Sequence, residues 1–376
     1  MKKLNITVVG LTITSSWGNG HATTYRALLK ELAALGHKIR FLEKNTPWYQ
    51  LHRDLPRPGY CEAGLYENMQ HITRQYASWL EEADLVIIGS YVSETAPLTE
   101  WLMSHTNALL AFYDIDTPVT MAKLEQHDYE YLTPSVIPAF DLYFSFSGGP
   151  VPDRIAALYG APCVRPLYCS VDTSLYYPED AIPAGHEASP RLDLGYLGTY
   201  SRDRQDSLDE LLLRPARLWQ TGRFMVAGAL YPADICWPSN VYRVEHLPPS
   251  EHRRFYNSQR FTLNVTRQPM IGAGYSPSVR LFEAAACGVP VISDYWAGIE
   301  EFFEPGSEIL IAESGAQVLD YLRKMDEEKR RDIARRAREK VLKAHSAATR
   351  AGELLGYVSE LMDDYLQVNS AHERSN

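Results

Sequence analysis

The chain has 376 residues, of which 45% are hydrophobic and 22% are charged, and its formal net charge is −10 at pH 7. This length allows two domains of ordinary size, each with its own core. The acidic balance argues against a nucleic-acid partner, because non-specific affinity for polyanions comes from clustered Lys and Arg. No apolar run approaches the ~18 residues that a membrane span needs, so none is expected.

Short Val-, Ile- and Leu-rich segments alternate with amphipathic ones along the chain. This alternation is typical of parallel, doubly wound α/β sheets. A first series of strands is predicted at residues 6–9, 38–42, 85–88, 108–113 and 142–146, with a helix near residues 21–35. A second series is predicted at residues 192–197, 224–227, 242–244, 261–265 and 289–293, followed by helices at 325–343 and from 344 to about 366.

A polar, Pro-rich stretch separates the two series and predicts an interdomain linker. The predicted division is a first domain at 1–176, a linker at 177–190, a second domain at 191–345, a terminal helix at 346–368 and a tail at 369–376.

The cysteine count and the N-terminus both bear on the cellular compartment. Five cysteines are an odd number without metal-ligand spacing, which favours reduced thiols and a cytoplasmic location. The first residues run directly into a predicted strand and lack the cleavage site of a signal peptide.

The most informative segment is residues 272–292, GAGYSPSVRLFEAAACGVPVI. Ser276 is a good N-cap and Pro277 suits the first helical position, so a helix is predicted to begin there. Gly288 is suited to the left-handed position that ends a helix, and Pro290 prevents continuation. The free N–H groups of the first turn, with the glycines before it, form a seat for a phosphate group.

Ser276, Arg280 and Glu283 are spaced i, i+4 and i+7, so they are predicted to line one face of this helix. A guanidinium near the positive end of a helix favours a bound anion. A carboxylate one turn deeper is placed to accept the hydroxyls of a ribose. A nucleoside diphosphate fits this order of groups. The alternative is a surface helix with an Arg–Glu pair.

Residues 274–292 resemble the nucleotide-sugar-binding motif of group 1 glycosyltransferases with the GT-B fold, and most of all the CgeB-like branch. Weaker matches lie at 18–21, 169–172 and 194–198. In that family the equivalent of Glu283 holds the ribose and the Gly–Ser turn holds the diphosphate. Many retaining members carry another glutamate eight positions earlier, where this chain has Tyr275, so the resemblance leaves the stereochemical course open.

The resemblance implies two tandem Rossmann-like domains with a cleft between them. The first would bind the acceptor and the second the nucleotide sugar, and the terminal helix would cross back onto the first domain. Ligands of open α/β sheets bind at the carboxyl ends of the strands, so both binding sites are expected on opposite walls of one cleft.

The loop after the first predicted strand is a candidate acceptor or phosphate loop, with Gly18, Asn19 and Gly20 permitting a tight turn. His21 would then lie at the mouth of the cleft. The alternative is an ordinary capped loop with an incidental histidine.

Asp114 and Asp116 follow another first-domain strand at i and i+2, which predicts that both carboxylates lie on one face, towards the cleft. Either would be placed to take a proton from an acceptor hydroxyl. The alternative for Asp116 is that it caps an ordinary turn. His21 is the competing base, and the sequence does not decide which of the three acts.

Arginines after the second-domain strands are candidate ligands of the donor phosphates, because a guanidinium pairs two phosphate oxygens. Solvated surface charge is the alternative for them. The segment that begins at His246 is where related enzymes contact the nucleobase. The predicted donor-binding residues are Gly274, Tyr275, Ser276, Ser278, Arg280, Glu283, Arg202, Arg204, Arg267, His246 and Leu247.

The sequence therefore predicts a glycosyltransferase of hexosyltransferase type that moves a sugar from a nucleotide sugar to an acceptor hydroxyl. The favoured donor is a UDP-sugar. No metal is required, because arginines and a helix N-terminus would stabilise the departing diphosphate. The acceptor is unspecified, and a monomer or homodimer is expected. The alternatives are a non-catalytic sugar-nucleotide-binding protein of a coat or surface assembly, and an epimerase or phosphorylase on the same scaffold.

Overall fold

The computed structural model describes residues 2–18, 20–179 and 191–373, with side chains as far as residue 363. Asn19, most of the predicted linker and the end of the predicted tail lie outside the described residues. Two wholly parallel sheets account for all the named strands of the described ranges.

The first sheet has seven strands in the order β3-β2-β1-β4-β5-β6-β7. Its first five strands follow the doubly wound pattern, with the reversal of strand order between β1 and β4. The strands are β1 (Asn5–Gly10), β2 (Lys38–Lys44), β3 (Glu62–Tyr66), β4 (Leu85–Gly89), β5 (Leu109–Asp114), β6 (Leu142–Ser145) and β7 (Val164–Pro166).

The second sheet has six strands in the order β10-β9-β8-β11-β12-β13, with the reversal between β8 and β11. The strands are β8 (Leu192–Leu197), β9 (Phe224–Ala227), β10 (Val241–Val244), β11 (Gln259–Asn264), β12 (Val291–Ser293) and β13 (Leu310–Ile311). The two series of strands expected from the sequence are thereby confirmed as two sheets. The structure adds β3, β7 and β13, which the sequence interpretation missed.

Helices connect the strands of both sheets. Those of the first half are α1 (His21–Ala34), α2 (Pro47–Gln50), α3 (Met69–Gln75), α4 (Ala77–Glu81), α5 (Thr95–His105), α6 (Thr117–Glu125) and α7 (Val151–Tyr159), with a 3₁₀ segment at Pro134–Ala139. Those of the second half are α8 (Arg202–Leu208), α9 (Arg214–Leu218), α10 (Pro249–Asn257), α11 (Gln268–Ala273), α12 (Val279–Ala286), α13 (Ile299–Phe302), α14 (Gly315–Lys324), α15 (Glu327–Ala344) and α16 (Ala347–Glu373), with a π-helical segment at Asp209–Leu213.

Each sheet buries apolar side chains on both faces, which gives four core clusters. The near-continuous apolar strands are the reason, since a parallel sheet covered on both sides excludes water from both. The last helix, α16, packs against α1, and its residues Leu354 and Val358 are fully buried in a cluster of the first sheet. The crossing of the terminal helix back onto the first domain is thus observed.

The five cysteines form no disulfide. Within the described ranges, no helix combines the length and the apolar character that crossing a membrane demands.

Candidate active site

A cleft of about 790 Å³ lies between the carboxyl ends of the two sheets. Its floor is formed where the strand order of each sheet reverses, by Gly10 at the end of β1, Tyr91 after β4, and Leu197 at the end of β8. At such a reversal the loops leave in opposite directions and open a crevice. The sequence predicted this arrangement of one cleft with two walls.

Most of the residues predicted from the sequence meet in this cleft. The lining includes Gly18, Gly20, His21, Asp116, Arg204, His246, Leu247, Arg267, Ser278, Arg280 and Glu283. Among the other predicted residues, Asn19 lies outside the described residues. Asp114, Arg202, Gly274, Tyr275 and Ser276 do not line the cleft.

The helix of the donor wall, α12, begins at Val279 and not at Pro277. Ser276 does not cap it. Its hydroxyl donates to the carbonyl of Gly274 over 2.9 Å and lies 2.5 Å from the hydroxyl of Ser147 in the first domain. The prediction of Ser276 as N-cap was therefore wrong, because a first-domain partner competes for its side chain. The end of the helix is as predicted, since Gly288 has φ +69°.

Arg280 is held at the carboxyl ends of β8 and β11. Its Nε donates to the carbonyl of Leu197 over 2.5 Å, and its Nη1 donates to Oδ1 of Asn264 over 2.7 Å. The same Oδ1 accepts the hydroxyl of Ser278, at the N-cap position of α12. The guanidinium is fixed beside the open N-terminal turn, where a cation and helix N–H groups together attract an anion.

Glu283 lies one turn deeper on α12, is only 3% exposed and still contributes to the lining of the cleft. Its Oε2 accepts a hydrogen bond of 2.9 Å from the hydroxyl of Tyr256. Burial and the nearby charge of Glu283 hold the pKa of Tyr256 well above its usual value, so the tyrosine remains a donor. Since Arg280 is also buried, at 8%, the alternative of a surface helix with an Arg–Glu pair is wrong.

Two further arginines reach the cleft. Arg204 donates through Nη2 to the carbonyl of Thr199, and its Nε is buried without a partner among the described residues. Arg267 is half-buried, with its Nε 3.4 Å from Oδ2 of Asp203. Arg202, in contrast, is exposed on the first turn of α8 and is not part of the cleft lining. The placement of Arg202 among the donor ligands is therefore corrected.

His246 and Leu247 lie between β10 and α10, at the end of the donor wall. The carbonyl of Leu247 is 3.0 Å from Nε2 of His252 on α10. Burial, and next the neighbouring His252, lower the pKa of His246 below its usual value, which favours a neutral ring.

A histidine, a carboxylate and a phenol meet on the opposite wall. His21 is the first residue of α1, and its Nε2 lies 3.7 Å from Oδ2 of Asp116. The same oxygen accepts a 2.9 Å hydrogen bond from Tyr91. Burial alone would raise the pKa of Asp116, but the proximity and charge of His21, with the hydrogen bond from Tyr91, hold it below its usual value. Asp116 is therefore ionised at neutral pH.

Asp114 does not share this face. β5 ends at Asp114, so the alternation of a strand does not extend to Asp116. Asp114 is completely buried, and its two oxygens accept hydrogen bonds from Thr120 (2.6 Å) and Tyr143 (2.7 Å). Burial raises its pKa to about 6. The prediction that Asp114 faces the cleft was wrong, because its side chain is buried in the core against Thr120 and Tyr143.

The predicted loop before α1 is tied down by two carboxylates, of which Glu43 is completely buried and Asp54 is exposed. Glu43 at the end of β2 accepts the backbone N–H groups of Ile13 (2.7 Å) and Thr14 (3.0 Å). Asp54 accepts the N–H and hydroxyl of Ser16 at 2.9 Å each. This anchoring fixes the backbone that leads to Gly18 and Gly20, both of which line the cleft.

Tyr275 and Ser276, shortly before α12, contact the first domain and do not line the cleft. The N–H of Gly148 donates to the carbonyl of Tyr275 over 3.0 Å. The ring of Tyr275 lies so close to Gly149 and Gly298 that a Cβ on either would meet ring atoms within 2.6 Å. Gly274, the residue before Tyr275, has a left-handed φ of +68°. The structure thus gives Tyr275 and Ser276 an interdomain role.

Tyr91 and Tyr256 are site residues that sequence reasoning missed. Tyr91 lies two residues after β4 and has a left-handed φ of +67°, and Tyr256 lies on α10, far from Glu283 in the chain. Neither belongs to a motif, and only the fold reveals that their hydroxyls contact the two site carboxylates.

Comparison with known proteins supports the same architecture. Residues 204–356 match the family model described as glycosyl transferase-like. No curated protein matches the chain in sequence.

Three solved structures illustrate the similarity in fold. HepE (Alr3699) from Anabaena in complex with UDP has a TM-score of 0.71 at 12% identity, covering 96% of this chain and 100% of that one. Sucrose-phosphate synthase from Thermosynechococcus elongatus has 0.67 at 15%, covering 96% and 99%. An alpha-glucosyltransferase in complex with UDP-glucose and DNA containing an abasic site has 0.69 at 13%, covering 95% and 100%. The chain therefore has the GT-B fold, and its residues 204–356 are similar to the glycosyl transferase-like family.

Proposed function

We propose that this protein is a glycosyltransferase that moves a sugar from a nucleotide sugar to an acceptor hydroxyl. One observation carries the proposal. A single cleft brings the buried Arg280–Glu283 face of the second domain opposite the His21–Asp116 pair of the first. Such a cleft holds donor and acceptor together, which converts a bimolecular reaction into one between positioned groups.

The donor in this proposal is a UDP-sugar. Glu283 accepts the ribose hydroxyls, while the N-terminal turn of α12, with Arg280, Arg204 and Arg267, holds the diphosphate. The nucleobase lies against Leu247. The cleft lining of this chain supports the placement, and structural neighbours were solved with UDP and UDP-glucose.

The acceptor hydroxyl binds between Nε2 of His21 and the carboxylate of Asp116. The 3.7 Å separation exceeds a hydrogen bond, so both groups can still bond to a hydroxyl placed beside them. In direct displacement, the acceptor oxygen bonds to the anomeric carbon, the bond from that carbon to the β-phosphate oxygen breaks, and UDP leaves with the electron pair. The hydroxyl proton passes to His21, whose charge the ionised Asp116 stabilises.

The arginines and the helix N-terminus would balance the charge of the leaving diphosphate as fixed electrostatics, so no metal ion is part of the proposed step. The transferred group is a hexose in this proposal, and the chain would be a CgeB-like member acting in the cytoplasm as a monomer or homodimer. We retain the domain division at 1–176, 177–190, 191–345 and 346–368 as part of the same proposal.

Thermal-shift screening against UDP, GDP, ADP, TDP and CDP with their common sugars tests the donor. A ligand that binds only the folded state raises the melting temperature by mass action. A shift with uridine nucleotides alone is expected. The absence of a shift with every nucleotide would overturn the donor site.

A non-catalytic sugar-nucleotide-binding protein and an epimerase on the same scaffold are the alternatives. An epimerase converts the sugar nucleotide without any acceptor, which product analysis by NMR detects directly. A binding protein would show nucleotide affinity but no UDP release in the presence of acceptors. The cleft-lining His21–Asp116 pair, in which His21 is buried and Asp116 is partly exposed, favours catalysis over both.

A further inference from the structure

An exposed tryptophan stands in the first-domain half of the cleft. Trp48 lies on the four-residue helix α2 directly after β2, is 59% exposed and lines the cleft. Its neighbour Tyr49 lines the same wall but is buried. A large indole left open to solvent contributes little to the core, whereas its flat apolar face suits a ligand.

The cleft floor runs from this tryptophan to the proposed reaction centre. The carboxyl ends of the adjacent strands β2, β1, β4 and β5 lie side by side in that order. Lys44 is the last residue of β2, and Asp116 follows β5 by two residues. Three interstrand spacings of ~4.8 Å separate the outer two strands, so the floor is about 14 Å long. This length exceeds what the single sugar ring of a donor requires.

Polar side chains occupy the floor between these ends. Nζ of Lys44 donates to Oε1 of Glu94 over 2.5 Å and to the hydroxyl of Ser93 over 2.9 Å. The hydroxyl of Tyr66 donates to the other oxygen of Glu94 over 3.2 Å. Lys44, Ser93 and Tyr66 all line the cleft. A wholly apolar acceptor would strip water from these groups without replacing their hydrogen bonds, which is unfavourable.

We infer that the acceptor is a carbohydrate of at least two sugar units. The sugar with the reacting hydroxyl lies at His21–Asp116, and the following unit stacks its C–H face on Trp48 while its hydroxyls bond to Lys44 and Ser93, which Glu94 holds in place from behind. Aromatic faces combined with hydroxyl, ammonium and carboxylate groups match the mixed apolar and polar surface of a sugar. The inference rests on the proposed glycosyltransferase function and names its acceptor class.

The test uses the full chain saturated with UDP. A glycan array carrying mono-, di- and larger saccharides identifies a bound glycan, and titration then measures its affinity for the wild type and for W48A. We expect disaccharides or longer glycans to bind to the wild type. W48A should bind them about tenfold more weakly, because it loses one stacking contact. The affinity for UDP stays unchanged in W48A, and W48F retains most of the glycan affinity.

Leu51→Ala is the matched control, since Leu51 follows the same short helix, is 88% exposed and is not part of the cleft lining. It should leave glycan and UDP affinity unchanged. Three outcomes would overturn the inference while UDP still binds: no glycan binds, W48A binds the glycan as tightly as the wild type, or only a phenolic acceptor such as 4-methylumbelliferone binds. Failure of UDP to bind would instead overturn the proposed function.

Discussion

The backbone N–H of Gly148 donates to the carbonyl of Tyr275 over 3.0 Å, and this bond joins the two domains at the turn that leads into α12. The Tyr275 ring fills the space above Gly298, and α11 of the second domain packs on α6 of the first beside it. The position of the donor helix is therefore coupled to the first domain through Tyr275. The ring of Tyr275 fits only because Gly149 and Gly298 have no side chain.

We predict that Gly298→Ala lowers both stability and affinity for UDP. Gly298 has φ +88°, and a Cβ there would lie 2.2 Å from the Tyr275 ring. Gly306→Ala is the matched control, because its φ is +82° but no heavy atom lies within 4 Å of the new Cβ.

Both variants should lose about 1 kcal/mol from backbone strain alone, measured by denaturant unfolding. Only Gly298→Ala should also weaken UDP binding, measured by calorimetry. Equal behaviour of the two variants in both measurements would show that the Tyr275 contact does not position the donor site.

We predict that His21→Ala and Asp116→Asn each lower turnover by about 100-fold or more, the size of a lost general base or its charge partner. Affinity for UDP should remain unchanged in both, because neither residue lies on the donor wall. Asp128→Asn serves as the control, since Asp128 is an exposed carboxylate that pairs with Lys123 on α6. Wild-type turnover in His21→Ala would exclude the proposed base.

Asp114 gives a pH-dependent stability. Burial raises its pKa to about 6 from 3.8, so folding favours its protonated form. Its contribution to stability is fully present below pH 3.8 and is lost as the pH rises through 6, by about 3 kcal/mol at ~1.4 kcal/mol per pKa unit.

Asp114→Asn should remove this dependence. The wild type should lose stability between pH 4 and pH 7 and the variant should not. The free energy of unfolding of the variant minus that of the wild type should therefore be larger at pH 7 than at pH 4, as measured by urea titration at both pH values. If the difference between variant and wild type is the same at both pH values, the raised pKa of Asp114 is refuted.

The sequence predicted the sheets and the donor helix because each depends on local patterns. Apolar runs defined the central strands to within a few residues, and Gly288 marked the end of α12. The missed strands are short edge or near-edge segments. β7 spans three residues and ends in Pro166, β13 spans two, and β3 carries the exposed Glu62. Such segments carry too few apolar residues for a periodic signal.

The remaining differences come from contacts between distant parts of the chain. The hydroxyl of Ser276 pairs with Ser147 of the other domain, so the helix starts later than its cap pattern indicates. Asp114 turns into the core because Thr120 and Tyr143 offer hydrogen bonds there. Local spacing contains no information about these partners.

The most direct test of the account is calorimetric titration of UDP into the wild type and into Glu283→Gln. Glutamine keeps an acceptor for the hydroxyl of Tyr256, so the fold should survive, but it lacks the charge that strengthens bonds to ribose hydroxyls. Glu304→Gln, at an exposed carboxylate, is the control. We predict that UDP binds the wild type and the control equally and binds Glu283→Gln more weakly by about 1–3 kcal/mol. Unchanged affinity in a folded Glu283→Gln, or no binding of UDP to the wild type, would contradict the donor site on which the account rests.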